Sequence, residues 1–323
     1  MATVFSGVQP SGDFHLGNYL GAFKNWADAQ QENVAFFCVV DLHALTLDID
    51  PSELRERTLD AAVTLLAMGL DPEVLFVQSH VPEHPRLAWL LECTATFGEL
   101  NRMTQFKEKS SGRETVRVGL YTYPVLMAAD VLLYQADQVP VGDDQRQHLE
   151  LMRDLAIRFN NRYGQTFTVP EAAVPKVAAR VMDLQQPGRK ISKSIDSPLG
   201  TIGLLDEPKD IERKVRRAVT DTDGKVRYDQ EAKPGVSNLL ELLSAATGVS
   251  IDEAAARYDG YGDLKRDVAE AIISLLAPIR GRTAELRADV GEVERILAAG
   301  AARAHEVASV TYERAAKAVG LFS

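Results

Sequence analysis

The apolar positions of this chain change period part-way along it. Up to residue 194, short apolar runs bounded by turn residues alternate with stretches whose apolar residues recur at i, i+3, i+4 and i+7. The runs predict strands at 4–8, 34–40, 74–77, 138–141 and 179–184. The run at 34–40, Val-Ala-Phe-Phe-Cys-Val-Val, does not alternate, as suits a central parallel strand buried on both faces. The periodic stretches predict a helix beginning near Gly17-Asn18 and carrying Tyr19, Leu20, Phe23 and Trp26, and further helices at 87–100, 123–134 and 143–159. Asp50-Pro51-Ser52-Glu53 predicts another helix start, with Asp as N-cap, Pro in the first position and Glu completing a capping box. Leu54, Thr58, Ala61, Leu65 and Met68 then face inward, and Gly69 ends that helix. Strand–helix alternation of this kind predicts an α/β fold with a doubly wound parallel sheet. After residue 194 the pattern is helical throughout, at 208–219, 236–247, 251–258, 261–287 and 292–319. The organisation expected is an α/β domain over 1–194, a helical domain over 195–287, and a final helix over 288–323 that folds back on the first domain.

Composition narrows the class. The chain has 323 residues, 46% hydrophobic and 25% charged, which is ordinary for a soluble globular protein of one large or two modest domains. It has no apolar run of about eighteen residues, so no membrane span is expected. The first residues enter a strand without a signal-peptide pattern, which points to the cytoplasm. Cys38 and Cys93 have no C-x-x-C partner and read as buried hydrophobes, so a zinc or iron–sulfur site built on cysteine is excluded. The net charge of −10 argues against a general nucleic-acid binder but leaves room for a local basic strip. Lys209, Arg213, Lys214, Arg216 and Arg217, followed by Lys225 and Arg227, form such a strip. Asp206, Glu207, Asp210 and Glu212 are interleaved with it, so an ordinary solvated helix is the alternative.

Ligands of doubly wound sheets bind beyond the carboxyl ends of the strands. Gln9, Asp41, His43, Ser79, Gly142 and Asp144 are expected at or just past those ends. Gln9-Pro10-Ser11-Gly12 forms a turn between the first strand and first helix, where free N–H groups and the helix dipole favour an anion. Gly17, without a side chain, lets a base or phosphate approach the backbone; the same junction also serves as a tight packing turn. Lys190 and Lys193 flank Ser192 in a loop that can close over a triphosphate and stabilise departing pyrophosphate, or is simply solvated. Lys109 can reach a phosphate, or complement a helix end. Asp143 and Asp144 stand where an acidic side chain bonds a ribose or caps a helix, and His148 reads as structural. Asp130 lies in an otherwise apolar helix and must find partners: a ligand N–H, an internal Arg, or water at an exposed edge.

The tetrad His15-Leu16-Gly17-Asn18 resembles the HIGH signature of class I aminoacyl-tRNA synthetases. Residues 190–194, Lys-Ile-Ser-Lys-Ser, resemble their KMSKS signature with Ile for Met. FSGVQPSG at 5–12, MTQFKEKS at 103–110, YPVLMAADVLLY at 123–134, VPVGDDQRQH at 139–148, AVTDTDGKVRYD at 218–229 and KPGVSNLL at 233–240 extend the likeness. Together they resemble the bacterial-type tryptophanyl-tRNA synthetases along nearly the whole chain. The resemblance implies a Rossmann-like catalytic domain and a helical anticodon-binding domain. It implies activation of L-tryptophan by ATP with Mg2+, transfer to tRNA(Trp), and a homodimer. By motif, Gln9, Pro10, Ser11, Gly17 and Asn18 hold ATP, Gly142, Asp143, Asp144 and Val181 hold its adenosine part, and Lys109, Lys190 and Lys193 hold phosphates, with Ile191, Ser192 and Ser194 completing the loop. Phe5, Gly7, His43, Met127, Val139 and Gln145 surround the amino acid, and Asp130 accepts the indole N–H. No protein-held metal is implied, Mg2+ coming with the ATP phosphates. The nearest alternatives are a tyrosyl-tRNA synthetase, an adenylate-forming enzyme that acts without tRNA, and a regulatory paralogue.

Overall fold

The computed structural model describes residues 1–112, 114–140, 142, 145–173, 181–191 and 197–322. Among these, the strands β1 (Thr3–Val8), β2 (Val34–Val39), β3 (Leu75–Val77), β4 (Gln138–Pro140) and β5 (Glu171–Ala173) form one sheet in the order β3-β2-β1-β4-β5. Every pairing is parallel. The order reverses between β1 and β4, so a crevice opens there at the carboxyl edge.

The helices of the first half are α1 (Leu16–Asn18), which continues through a wide π-helical turn at Tyr19–Phe23 into α2 (Lys24–Glu32), then α3 (Asp41–Ala44), α4 (Pro51–Ala67), α5 (Glu83–Glu92), α6 (Phe97–Asn101), α7 (Thr104–Ser110), α8 (Val118–Leu132) and α9 (Arg146–Tyr163). Asp50 caps α4 by accepting from the Ser52 amide at 2.9 Å. Glu53 does not close a capping box there; its carboxylate takes Arg57 instead, one turn on. The helix expected over 87–100 is broken, because Thr96 starts α6 with a reciprocal cap: Glu99 accepts from the Thr96 amide at 2.9 Å. Cys93, just past the end of α5, is exposed, whereas Cys38 is buried in β2 as expected.

The strand expected at 179–184 is not a strand of the sheet over its described part. Met182 instead bridges antiparallel to Lys190 in a short hairpin, with Val181 and Leu184 buried. The fifth strand is Glu171-Ala-Ala173, at the sheet edge, where half-exposed small and polar residues give no apolar signal.

The helices of the second half are α10 (Pro208–Arg216), α11 (Pro234–Thr247), α12 (Ile251–Ala255), α13 (Tyr261–Ala288) and α14 (Val290–Ala318). Each face of the sheet has its own core. Ala35, Phe37 and Val39 of β2 pack with α2 and α4, and the same cluster runs on into Ile211, Val215, Leu239, Leu264 and Ile272 of the helical half. Phe36, Cys38 and Val40 pack on the other face with Leu87, Val125, Leu155, Ala301, Ala304 and Ala308, from α5, α8, α9 and α14. This two-sided burial is why 34–40 carries no polar alternation. The last helix therefore returns to the sheet. At Gly300 its backbone lies so near β3 that a Cβ would stand 2.0 Å from the Leu75 carbonyl oxygen, so a side chain there is excluded. No helix among the described residues is long and apolar enough to cross a membrane.

Candidate active site at the carboxyl edge of the sheet

Three loops leave the strands together. Gln9 follows β1, Asp41 and His43 follow β2, and Gln78 and Ser79 follow β3. They are tied to one another. The Gln9 side-chain amide donates to the His43 carbonyl at 3.1 Å. Leu42 N–H donates to the Gln78 side chain at 3.1 Å, and the Asp41 carboxylate accepts from Ser79 N–H at 3.0 Å. Polar residues at strand ends thus lock the loops with side-chain bonds where the sheet ladder stops.

Asp130 closes this wall from α8. Its side chain is 2% exposed. The carboxylate accepts at Oδ1 from Gln78 Nε2 and from His84 Nδ1, each at 2.6 Å, and at Oδ2 from His43 Nε2 at 2.8 Å. Tyr134 stands behind His84, its hydroxyl 2.9 Å from Nε2. Phe5 stacks on Tyr134 with ring centroids 5.3 Å apart. Burial pushes the Asp130 carboxyl up; the neighbouring imidazoles of His43 and then His84 outweigh it, and hold the group well below the usual carboxylate range. Burial, reinforced by Asp130 and Asp41, pushes the Cys38 thiol up, so it has no nucleophilic character. Among the described residues neither an internal Arg nor an exposed edge satisfies Asp130: its donors there are two histidines and an amide. Among the described residues Oδ2 takes only the His43 bond, while a carboxylate oxygen has room for two, so one acceptor position remains among them.

Tyr123, two turns before Asp130 on α8, bonds His148 Nε2 at 2.8 Å and Gln105 Oε1 at 3.1 Å. Burial pushes the Tyr123 hydroxyl up to about 12, so it stays protonated. Lys109 sits over the Tyr123 ring, its ammonium 5.5 Å from the centroid, and donates to Gln105 at 3.0 Å. His148 is buried inside α9, as its structural reading expected. Met127 lies one turn before Asp130, Val139 is buried in β4, and Gln145 stands at the N-cap position of α9, its backbone N–H donating to the Gly142 carbonyl at 3.0 Å. Gly7 opens to solvent in β1, on the edge nearest the crevice.

The second wall starts at His15. Its Nδ1 accepts from the Asn18 amide at 3.2 Å and the Asn18 side chain accepts from the His15 amide at 3.0 Å, a reciprocal cap that holds the His-Leu-Gly-Asn tetrad as a helix start. A Cβ on Gly17 would stand 3.1 Å from the His15 ring and 3.5 Å from Val181. Val181 opens the hairpin whose second arm carries Lys190 and Ile191, joined through Ile191 N–H to the Val181 carbonyl at 3.2 Å. Ile191 is buried in the core and Lys190 exposed. The fold thereby brings Gly17, Asn18, Val181, Lys190 and Ile191 to one wall, and Gln9, His43, Asp130, Phe5 and Lys109 to the other, with Pro10 and Ser11 in the connecting turn. Asp143, Asp144, Ser192, Lys193 and Ser194 lie outside the described residues.

The profile of the family described as "tRNA synthetases class I (W and Y)" matches residues 1–277. The chain belongs to this class I synthetase family. It is 55% identical over 324 aligned residues to a tryptophan–tRNA ligase of Leifsonia xyli, covering 98% of this chain and 96% of that one. A tryptophan–tRNA ligase of Caldanaerobacter subterraneus is 52% identical, with 99% of each chain covered. Among solved structures, the tryptophanyl-tRNA synthetase of Mycoplasma pneumoniae superposes with a TM-score of 0.89 at 37% identity, covering 100% of this chain and 99% of that one. That of Campylobacter jejuni, complexed with ADP and tryptophan, gives 0.86 at 34% identity over 99% and 100% of the two chains.

Three side chains of this synthetase's site escape a reading of its sequence: Gln78, His84 and Tyr134. Gln78 directly follows an apolar strand, and His84 stands among apolar positions of α5, but nothing local says that both aim at Asp130, 52 and 46 residues away. The basic strip is also smaller than expected. Lys214 lies on the buried face of α10 with Ile211 and Val215, its ammonium 2.6 Å from Asp206, which also accepts from Gly203 N–H. Arg213 pairs with Asp210, and Arg227 with Asp229. Lys209, Arg216, Arg217 and Lys225 remain exposed.

Proposed function

We propose that the chain activates L-tryptophan with ATP to tryptophanyl-adenylate and transfers it to tRNA(Trp), releasing pyrophosphate and then AMP. Asp130 carries the assignment of the amino acid: an ionised, buried carboxylate with one acceptor position left can take an indole N–H. Such a site rejects analogues that lack the donor by up to about 10⁴–10⁵-fold. Full-length relatives at more than half identity, named for the same reaction, support it.

In the activation step a tryptophan carboxylate oxygen bonds to the α-phosphorus of ATP. The bond from that phosphorus to the bridging oxygen breaks, and pyrophosphate leaves with the electron pair. No protein nucleophile enters. The His15–Asn18 cap and the bond from Leu16 N–H to the Ile202 carbonyl fix the start of α1 around Gly17, where the adenosine part and phosphates of ATP would lie with Gln9, Pro10, Ser11, Gly142, Asp143, Asp144 and Val181. Lys109, Lys190 and Lys193 would neutralise the charge that develops on pyrophosphate, with Mg2+ supplied on the ATP phosphates. The terminal tRNA hydroxyl then attacks the activated carbonyl and expels AMP.

The helices over 195–287 form the anticodon-binding part in this reading, with the exposed Arg216 and Arg217 toward RNA, and α14 belongs with the α/β part. Phe97 is 75% and Val118 75% exposed, Trp89 65%, on neighbouring helices α6, α8 and α5, which supports a homodimer through that apolar face. As tRNA charging serves translation, the activity belongs in the cytoplasm. Pyrophosphate exchange into ATP, measured with tryptophan and with tyrosine, tests the assignment. Exchange dependent on tryptophan is expected, and exchange with tyrosine alone would overturn it.

A further inference from the structure

We infer that Asn238, a residue of the helical half, is the positioning residue for the hairpin that carries Lys190. One edge of the 181–183 arm pairs with 189–191: Ile191 N–H donates to Val181 O at 3.2 Å, and Asp183 N–H to Arg189 O at 2.9 Å. Met182 turns its own amide and carbonyl the other way. There the Asn238 carboxamide meets both, accepting from Met182 N–H at 3.1 Å and donating to Met182 O at 3.0 Å. The side chain thus takes the place of a third strand, using a donor and an acceptor that only a carboxamide combines at this reach. Asn238 is 2% exposed, so water does not compete for these bonds.

Asn238 is itself held firmly. Lys233, one turn and a half before it and 2% exposed, bonds Asp221 and Tyr261 at 3.0 Å each, and Asp223 as well. The start of α11 lies so close to 219–220 that a Cβ on Gly235 would stand 2.0 Å from Val219 O. Val219 N–H in turn donates to Leu184 O at 2.8 Å, a second tie to the hairpin. The blocks at 218–229 and 233–240 therefore form one clasp whose output is the placement of Met182. Through the Met182–Lys190 bridge it sets where Lys190 starts.

The assignment rests on the proposed phosphate role of Lys190, and predicts an effect on the ATP step alone. In Asn238→Ala, kcat of tryptophan-dependent pyrophosphate exchange should fall about 10–100-fold, since misplaced charge stabilisation costs rate. KM for tryptophan should stay within about twofold, and amide exchange at Met182 should accelerate. Asn238→Asp keeps the acceptor but loses the donor. Its deficit relative to the native enzyme should shrink as pH falls from about 8 to about 5.5, because a protonated carboxyl opposite Met182 O donates again. Val268→Ala, in the buried face of α13, lowers stability without touching the hairpin, and should leave kcat unchanged below its melting temperature. Native kcat in a folded Asn238→Ala protein, or an equal loss in Val268→Ala, would overturn the positioning role. A native chain without tryptophan-dependent exchange would overturn the proposed function, and this assignment with it.

Discussion

The side-chain amide of Gln9 bonds the backbone carbonyl of His43 at 3.1 Å, and so joins the turn after β1 to the loop after β2. The consequence is mechanical. The His43 ring also bonds Asp130, so the turn expected to hold ATP and the carboxylate expected to hold the amino acid share one rigid link. In the proposed reaction, two substrates that must meet at one phosphorus would be placed by side chains that hold each other.

Asp130→Asn tests amino-acid recognition. An amide cannot accept from three N–H donors and a ligand at once. The variant should lose roughly 2–3 kcal/mol in kcat/KM for tryptophan. The loss should be smaller for an analogue that lacks the indole N–H. Because Gln78, His43 and His84 lose an acceptor, the melting temperature should fall too. Equal losses for both substrates would leave Asp130 a structural role only.

Tyr134→Phe separates the support from the contact. It removes the hydroxyl 2.9 Å from His84 Nε2 and leaves that buried nitrogen without its partner. Stability should drop by about 1–2 kcal/mol, with kcat/KM for tryptophan reduced only a few-fold. Chemical denaturation and exchange kinetics on one preparation give both values.

The Glu99–Arg158 pair sets a pH dependence. Hydrogen bonds from Arg158, aided by Thr96, lower the Glu99 carboxyl to about 2, against a partial cost of burial. A depressed folded-state pKa contributes stability that is fully present above the unfolded value of about 4.5, and is lost as pH falls through about 2. Glu99→Gln should therefore cost about 1–2 kcal/mol at neutral pH, the exposure of Arg158 moderating the value. Native and variant stabilities should converge as pH drops from about 4.5 toward 2 in urea titrations.

Lys190→Ala should slow pyrophosphate exchange by roughly 10²–10³-fold, the usual loss for one charge-stabilising donor. Tryptophan affinity should be nearly unchanged. Lys193→Ala should behave alike, and the double variant should lose less than the product, since both lysines act on one leaving group. An unimpaired exchange rate in both would remove the loop from the phosphate site.

The RNA face is tested by Arg216→Glu with Arg217→Glu. Both side chains are exposed at the end of α10, clear of the buried Lys214. Aminoacylation should weaken and the salt dependence of tRNA binding flatten, with pyrophosphate exchange intact. Equal loss in both assays would point to a folding defect.

The parallel sheet, its central strand and the helical second half were legible in the chain, because burial on two faces and helical spacing are local patterns. Gln9, His43 and Asp130 also stood out in one dimension, as residues at strand ends and a lone carboxylate in an apolar helix, and the fold links the three. The edge strand at Glu171–Ala173 was not legible, because it has no buried face to mark it. Nor was the hairpin at Met182, whose apolar residues look like those of a sheet strand. Tertiary structure alone decided which donors complete Asp130, that Lys214 turns inward, and that Asn238 meets Met182. Each of these is a pairing across tens of residues. Hydrogen bonds are specified by where two groups meet in space, and a polar residue carries no mark of its distant partner until packing brings the two together.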